Sequence, residues 1–156
     1  MVQKMKPDGT PYNLLERHLK QLGLTMLLFA IYDLLVALAG FFFSSSIIGW
    51  LGGGIAREPF FFWALLHLIL PCFCILAWMD TKRNIVIVAG AILARVVYGV
   101  AMLIYVLAFG AHMVWAVLGG ISLFFALIHY VLLRLSDFGL WEVFRRAGNP
   151  PGMRWR

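Results

Sequence analysis

The stretch VVYGVAMLIYVLAFGAHMVWAVLGGISLFFALIHYVLL, Val96 to Leu133, carries no formal charge along its whole length. A bilayer's hydrocarbon core is about 30 Å thick and a helix crosses it in about twenty apolar residues, so this run is far too long for one crossing. Its break is Gly110-Ala111-His112. A tight turn there divides the run into two helices, the first reaching back to Ile85 and the second ending at Leu133.

Two further spans precede this pair. The spacing of charge, Gly and Pro predicts crossings over 24–43, interrupted by Asp33 alone, over 59–79, over 85–109, interrupted by Arg95, and over 113–133. The expected fold is therefore an all-α integral membrane protein, a four-transmembrane-helix bundle forming one membrane domain over 1–156. Composition agrees: of 156 residues, 63% are hydrophobic and 13% charged, with a mean hydropathy of +0.90. Soluble domains carry roughly a quarter charged residues, so a soluble globular domain is excluded. The length allows one domain, with little chain left over for a catalytic or nucleic-acid-binding module. The first span is too long and too uniformly apolar for a signal-peptide core, and no small-residue cleavage pattern follows it.

Four crossings gather Lys4, Lys6, Arg17, Lys20, Lys82, Arg83, Arg134, Arg145, Arg146, Arg154 and Arg156 on one side and leave Arg57 on the other. By the positive-inside rule both termini are cytoplasmic. The pI of about 9.8 then reflects topology and attraction to anionic lipid, with no nucleic-acid partner implied. Short interfacial helices are expected at both ends. Over 12–22, Leu15, Leu19 and Leu22 share a face before Gly23 allows a bend; over 137–146, Leu140, Trp141 and Phe144 group beside Arg145 and Arg146, with Ser136 as N-cap and Asn149-Pro150-Pro151-Gly152 beyond.

Ionisable groups at mid-bilayer cost roughly 2.5 to 3.5 kcal/mol each, which makes Asp33 and Arg95 the most informative residues in the chain. Each lies roughly 15 to 17 Å from the cytoplasmic end of its span at 1.5 Å per residue, so the two can pair if their helices are neighbours. Such a pair either fixes helix register or, with Tyr32 and Tyr98, lines a cavity for a lipid headgroup, a quinone ring or a proton path. His67 lies about 12 Å below the outer face and His129 roughly 24 Å below it. Two axial haem ligands must bring their nitrogens within about 4 Å of each other, so a shared haem is disfavoured. Either histidine alone could ligate a pigment or five-coordinate haem, with Phe60, Phe61, Phe62 and Trp63 as an aromatic wall near His67; the plainer alternative is hydrogen bonding to neighbouring helices.

Cys72 and Cys74 are separated by about 200° around a helix and read as packing residues. No metal site, Cys-x-x-Cys, His-Glu-x-x-His, phosphate-binding loop or nucleophile elbow is present, and no catalytic set can be named. Gly52-Gly53-Gly54 reads as a flexible outer loop. Gly90 with Ala94, and Ala116 with Gly120, are small pairs that allow close helix contact.

The apolar first span with a polar centre, the aromatic-rich second span, the short Asp80-Thr81-Lys82-Arg83-Asn84 loop and the basic Arg95 in the third resemble the small bacterial four-helix membrane proteins called DoxX-like. That resemblance implies a bacterial inner membrane as the host and a helper subunit or a quinone-proximal role. The leading expectation is a non-enzymatic accessory or stabilising subunit of a larger membrane complex, energy-transducing or quinone-linked, with lipids and other membrane subunits or further copies of itself as partners. One alternative is a binder of a lipophilic cofactor, whether pigment, haem or quinone, through His67, His129 or the Asp33 and Arg95 environment. The other is a small proton-coupled transporter: small multidrug transporters also carry a single acid in the first span, although the rest of their motif is absent.

Overall fold

The structure is a computed structural model that describes residues 12–50 and 57–147, with side chains over 14–49 and 63–145. Six helices make up the described residues: α1 (Tyr12–Phe42), α2 (Ser44–Trp50), α3 (Arg57–Met79), α4 (Ile85–Phe109), α5 (Val114–Leu135) and α6 (Leu140–Ala147). Leu14–Phe42 of α1, together with α4 and α5, are each long and apolar enough to cross a membrane.

Each long helix hides one stripe and presents apolar side chains elsewhere. On α4 the stripe is Ile85, Val88, Ala89, Ile92, Arg95 and Gly99; on α5 it is Trp115, Gly119, Ser122, Ala126, His129 and Leu133. Steps of three and four keep these residues on one helical face. Met26, Phe29, Asp33 and Ala37 continue the pattern on α1, as do Ala64, His67, Cys74 and Ala77 on α3. Large apolar side chains such as Leu35, Leu107 and Leu127 point outward. Asp33, His67, Arg95, Ser122 and His129 thus lie inside among apolar neighbours while large apolar side chains also cover the outside, an arrangement that suits lipid.

α1 packs along α3 and α4 along α5, and the two hairpins meet through α1–α5 and α3–α4 contacts. α1 and α4 consequently stand diagonally across the bundle rather than side by side. The hydrophobic effect does not draw helices together in lipid, so close packing has to. The tightest approach pairs Gly99 with Gly119: a Cβ on Gly119 would lie 2.9 Å from the Gly99 carbonyl oxygen, and one on Gly99 would lie 2.5 Å from Leu123 Cγ. Gly90 and Gly120, expected to serve this purpose, have nothing within 4 Å of a built Cβ because they lie off the buried stripes.

The turns are built locally. Gly110 ends α4 in the left-handed region at φ 65°, with its N–H donating to the Val106 carbonyl, and α5 begins four residues later. Between α3 and α4, the Asp80 side chain accepts from the Arg83 N–H at 3.0 Å and Asn84 Nδ2 donates to the Leu76 carbonyl at 2.7 Å. Lys82 and Arg83 lie at this basic end, as do Arg17, Lys20 and Arg134; His18 Nδ1 there meets the Leu135 carbonyl at 3.1 Å, tying α1 to α5.

Two expectations about the flanks require correction. Residues 12–22 form no separate interfacial helix with a bend at Gly23; α1 runs unbroken from Tyr12 to Phe42. Gly23 serves a different purpose, since a Cβ there would meet Thr81 Oγ1 at 2.5 Å, and Leu22 is fully buried in the bundle. Ser136 does not cap α6: its hydroxyl donates to the Leu132 carbonyl at 2.8 Å and closes α5. Asp137 follows at φ 66°, with its N–H donating to the Arg134 carbonyl and the Phe138 N–H to the Leu133 carbonyl, a Schellman-type ending. α6 then turns Val143 into the core with Leu140 and Phe144 against it, while Trp141 is left exposed. Gly52-Gly53-Gly54 and Asn149-Pro150-Pro151-Gly152, together with the side chains of Phe60, Phe61 and Phe62, fall outside the described residues.

Candidate functional site

The packed core, including Leu22, Met26, Ala77, Val88 and Leu133, fills the basic half of the bundle. The polar residues of the four stripes meet just beyond it. Arg95 extends from α4 across the bundle, and its Nη2 donates to Asp33 Oδ2 of α1 at 3.2 Å. The same nitrogen lies 3.7 Å from Cys74 Sγ of α3, and the guanidinium sits over the ring face of Phe29. A cation over an aromatic face gains from the ring quadrupole, most strongly where water is excluded. Ser122 of α5 completes the ring of helices by donating to the Arg95 carbonyl at 3.5 Å. Asp33 is 0% and Arg95 4% exposed, yet Asp33 Oδ1 and Arg95 Nε have no hydrogen-bond partner.

His67 approaches Asp33 from α3. Its Nδ1 is 3.1 Å from the Trp63 carbonyl, which can only accept, so Nδ1 carries the hydrogen. The other ring nitrogen, Nε2, faces Asp33 Oδ1 at 3.9 Å, beyond hydrogen-bond distance. Beyond His67 lies an aromatic layer in which Trp63 Nε1 donates to the Tyr98 hydroxyl at 2.7 Å and Trp115 packs edge-on against Trp63. Because Tyr98 accepts there, its own O–H remains available as a donor.

Between the ion pair and this layer is a cavity of about 200 Å³, lined from all four long helices: Phe29 and Tyr32, Leu66, His67 and Leu70, Ala94, Arg95 and Tyr98, and Leu118 and Ser122. Leu66 and Ala94 are themselves exposed on the outside of the bundle. They mark a lateral mouth between α3 and α4, where helix contact is sparse.

The sequence treated His67 with its aromatic wall, and Asp33 and Arg95 with Tyr32 and Tyr98, as separate environments. The structure merges them into one. His129 is not part of the cavity wall: it is fully buried between Phe29 and Phe125, with ring centroids at 6.1 and 6.3 Å. Neither of its nitrogens makes a well-formed hydrogen bond, the Thr25 carbonyl being a weak polar contact. Phe29, Cys74 and Ser122 were not foreseen as partners of Arg95. Helical spacing carried the signal, since Cys74 follows His67 by seven residues and Phe29 precedes Asp33 by four. Among the described residues no group of three or more His, Cys, Asp or Glu side chains is placed to hold a metal ion. Compared with known proteins, the chain matches no family model, no curated protein and no solved structure.

Proposed function

We propose that the protein holds the ring headgroup of a lipid-soluble molecule of the quinone class in this cavity while the tail stays in the surrounding lipid. The observation that carries the reading is a cavity bordered on the outside by Leu66 and Ala94 and reaching the buried Arg95, whose charge is balanced behind it by Asp33. Sites for whole drug-sized molecules run roughly 300 to 1,000 Å³. A space of about 200 Å³ suits a single ring. Arg95 and the Tyr98 hydroxyl supply donors for ring oxygens, and Phe29, Tyr32 and Leu70 supply the apolar walls. A metal-centred pigment suits the site less, because His67 Nε2, the nitrogen free to ligate, is turned toward Asp33.

In this reading α3 is a fourth crossing beside the other three, both ends face the cytoplasm, and the host is a bacterial inner membrane. The basic residues at one end of the bundle support that orientation, and the DoxX-like resemblance points the same way. The protein binds and performs no bond chemistry. Native mass spectrometry of the protein extracted in mild detergent, with solvent extraction of what it carries, tests the reading. A stoichiometric lipophilic ring compound, or saturable uptake of a short-chain quinone, is expected; absence of both overturns it.

A second reading, an accessory subunit of a larger membrane assembly or a homo-oligomer, is favoured by Gly90 and Gly120, which leave room for another helix against α4 and α5. Co-extraction of other chains in the same mass measurement supports it, and a bare monomer opposes it.

A further inference from the structure

A second hollow, of about 590 Å³, opens at the basic end of the bundle between α1 and the turn that joins α3 to α4. It shares no lining residue with the cavity beside Arg95. Gly23 shapes it: a Cβ there would lie 2.5 Å from Thr81 Oγ1 and 3.7 Å from Trp78 Cδ1, so the turn approaches α1 over bare backbone. Thr81, otherwise buried, lines the hollow and carries a hydroxyl that can donate.

The lining changes character along the bundle. Glu16 and Lys20 of α1 and Lys82 of the turn bring charge, whereas Leu24 of α1 and Trp78 and Met79 at the end of α3 bring apolar surface, and all six are exposed. Glu16 and Leu24 are eight residues apart, about 12 Å along the helix. Beyond Leu24, steps of three and four keep Leu28, Ile31 and Leu35 on the same face of α1, and these too are exposed. From Leu24 to Leu35 the helix rises about 16 Å, close to half of a hydrocarbon core about 30 Å thick. That is the depth one leaflet's acyl chain fills. Indoles favour the membrane interface, and lysine stems lie along apolar surface while their ammonium groups stay among the headgroups. Two lysines against one glutamate leave a single positive charge in the hollow. One phosphodiester cancels it, and a head that also carries an ammonium restores the excess.

We infer that this groove is a binding site for one anionic phospholipid, a phosphodiester whose head carries no ammonium. Lys20, Lys82 and the Thr81 hydroxyl hold the phosphate, Trp78 and Met79 cover the glycerol region, and an acyl chain runs down Leu24, Leu28, Ile31 and Leu35. Arg17 and Arg83 share the same end of the bundle, are exposed and do not line the groove, so they add diffuse attraction without forming the site.

The test is native mass spectrometry of the full-length protein released from detergent micelles that contain increasing phosphatidylglycerol or phosphatidylethanolamine with identical acyl chains. The first phosphatidylglycerol is expected to bind about tenfold or more tightly than the first phosphatidylethanolamine. Lys20→Gln combined with Lys82→Gln should weaken phosphatidylglycerol about tenfold or more, since each lysine beside an anionic head adds to its binding. Arg17→Gln combined with Arg83→Gln removes the same charge from the same end and should change affinity by less than about twofold, the scale of a screened surface charge. Soluble glycerol 3-phosphate should leave the lipid in place. Equal losses in the two double variants overturn the site in favour of diffuse attraction. Equal affinity for the two lipids, or no retained lipid, overturns it on the unsubstituted protein whether or not a variant folds. Displacement by glycerol 3-phosphate overturns the acyl-chain seat and makes the groove a site for free phosphate esters.

Discussion

Arg95 and Asp33 meet at 3.2 Å although their helices, α4 and α1, stand diagonally in the bundle. The guanidinium spans the centre, so the pair ties the α1–α3 hairpin to the α4–α5 hairpin. Removing one partner strands the other charge in lipid. Asp33→Leu or Arg95→Leu alone should destabilise by about 3 to 5 kcal/mol, whereas the double substitution is milder than the sum of the two. A double-mutant cycle of unfolding in detergent checks this, and strict additivity would count against direct coupling.

The glycines of α4 and α5 should separate into two groups. Gly119→Ala places a methyl against the Gly99 carbonyl oxygen, whereas Gly120→Ala and Gly90→Ala meet nothing within 4 Å. Overpacking typically costs about 1 to 3 kcal/mol. Gly119→Ala is therefore expected to lower the melting temperature clearly. The other two should leave monomer stability unchanged or raise it slightly through helix propensity.

His129 tests whether every buried polar residue belongs to the site. It is fully buried, without a well-formed hydrogen bond, and absent from the cavity wall. His129→Leu should leave headgroup binding intact and either preserve stability or raise it by up to about 2 kcal/mol, because an unmet polar group is removed. Loss of a bound pigment or of quinone affinity in this variant would show that His129 has a ligand role.

Trp63 and Tyr98 join α3 to α4 at the far side of the cavity through a 2.7 Å hydrogen bond. Tyr98→Phe removes the acceptor for Trp63 Nε1 and also the free hydroxyl donor of the cavity. Stability should fall by about 1 to 3 kcal/mol, and affinity for a quinone should drop several-fold with it. Trp63→Phe removes the indole donor but leaves the Tyr98 hydroxyl in place, so its effect on stability should exceed its effect on binding. Thermal unfolding and quinone titration of the two variants side by side distinguish these outcomes.

Much of this arrangement could be read from residue order. The turn at Gly110 followed from an uncharged run too long for one crossing, and the similar depths of Asp33 and Arg95 followed from helical rise. Depth says nothing about azimuth, so neither the diagonal placement of α1 and α4 nor the approach of His67 to Asp33 could be read from it. The in-phase stripes did carry that information. Trp63, His67 and Cys74 share a face of α3, as do Phe29 and Asp33 on α1, but in a chain whose outer surface is also apolar the buried face has no hydrophobic contrast to reveal it. Gly23 and Ser136 misled for a different reason. Both residue types favour helix ends in general, while here one makes room for Thr81 and the other closes α5.

The most direct measurement is the affinity of a short-chain quinone for wild-type protein and for Ala94→Trp, compared in nanodiscs alongside their melting temperatures. Ala94 is exposed and borders the cavity, so the indole should block the mouth between Leu66 and Tyr98 without disturbing the core. A loss of affinity of about tenfold or more at an unchanged melting temperature is the expected result. Undiminished affinity in a well-folded Ala94→Trp protein would contradict entry and binding at this cavity.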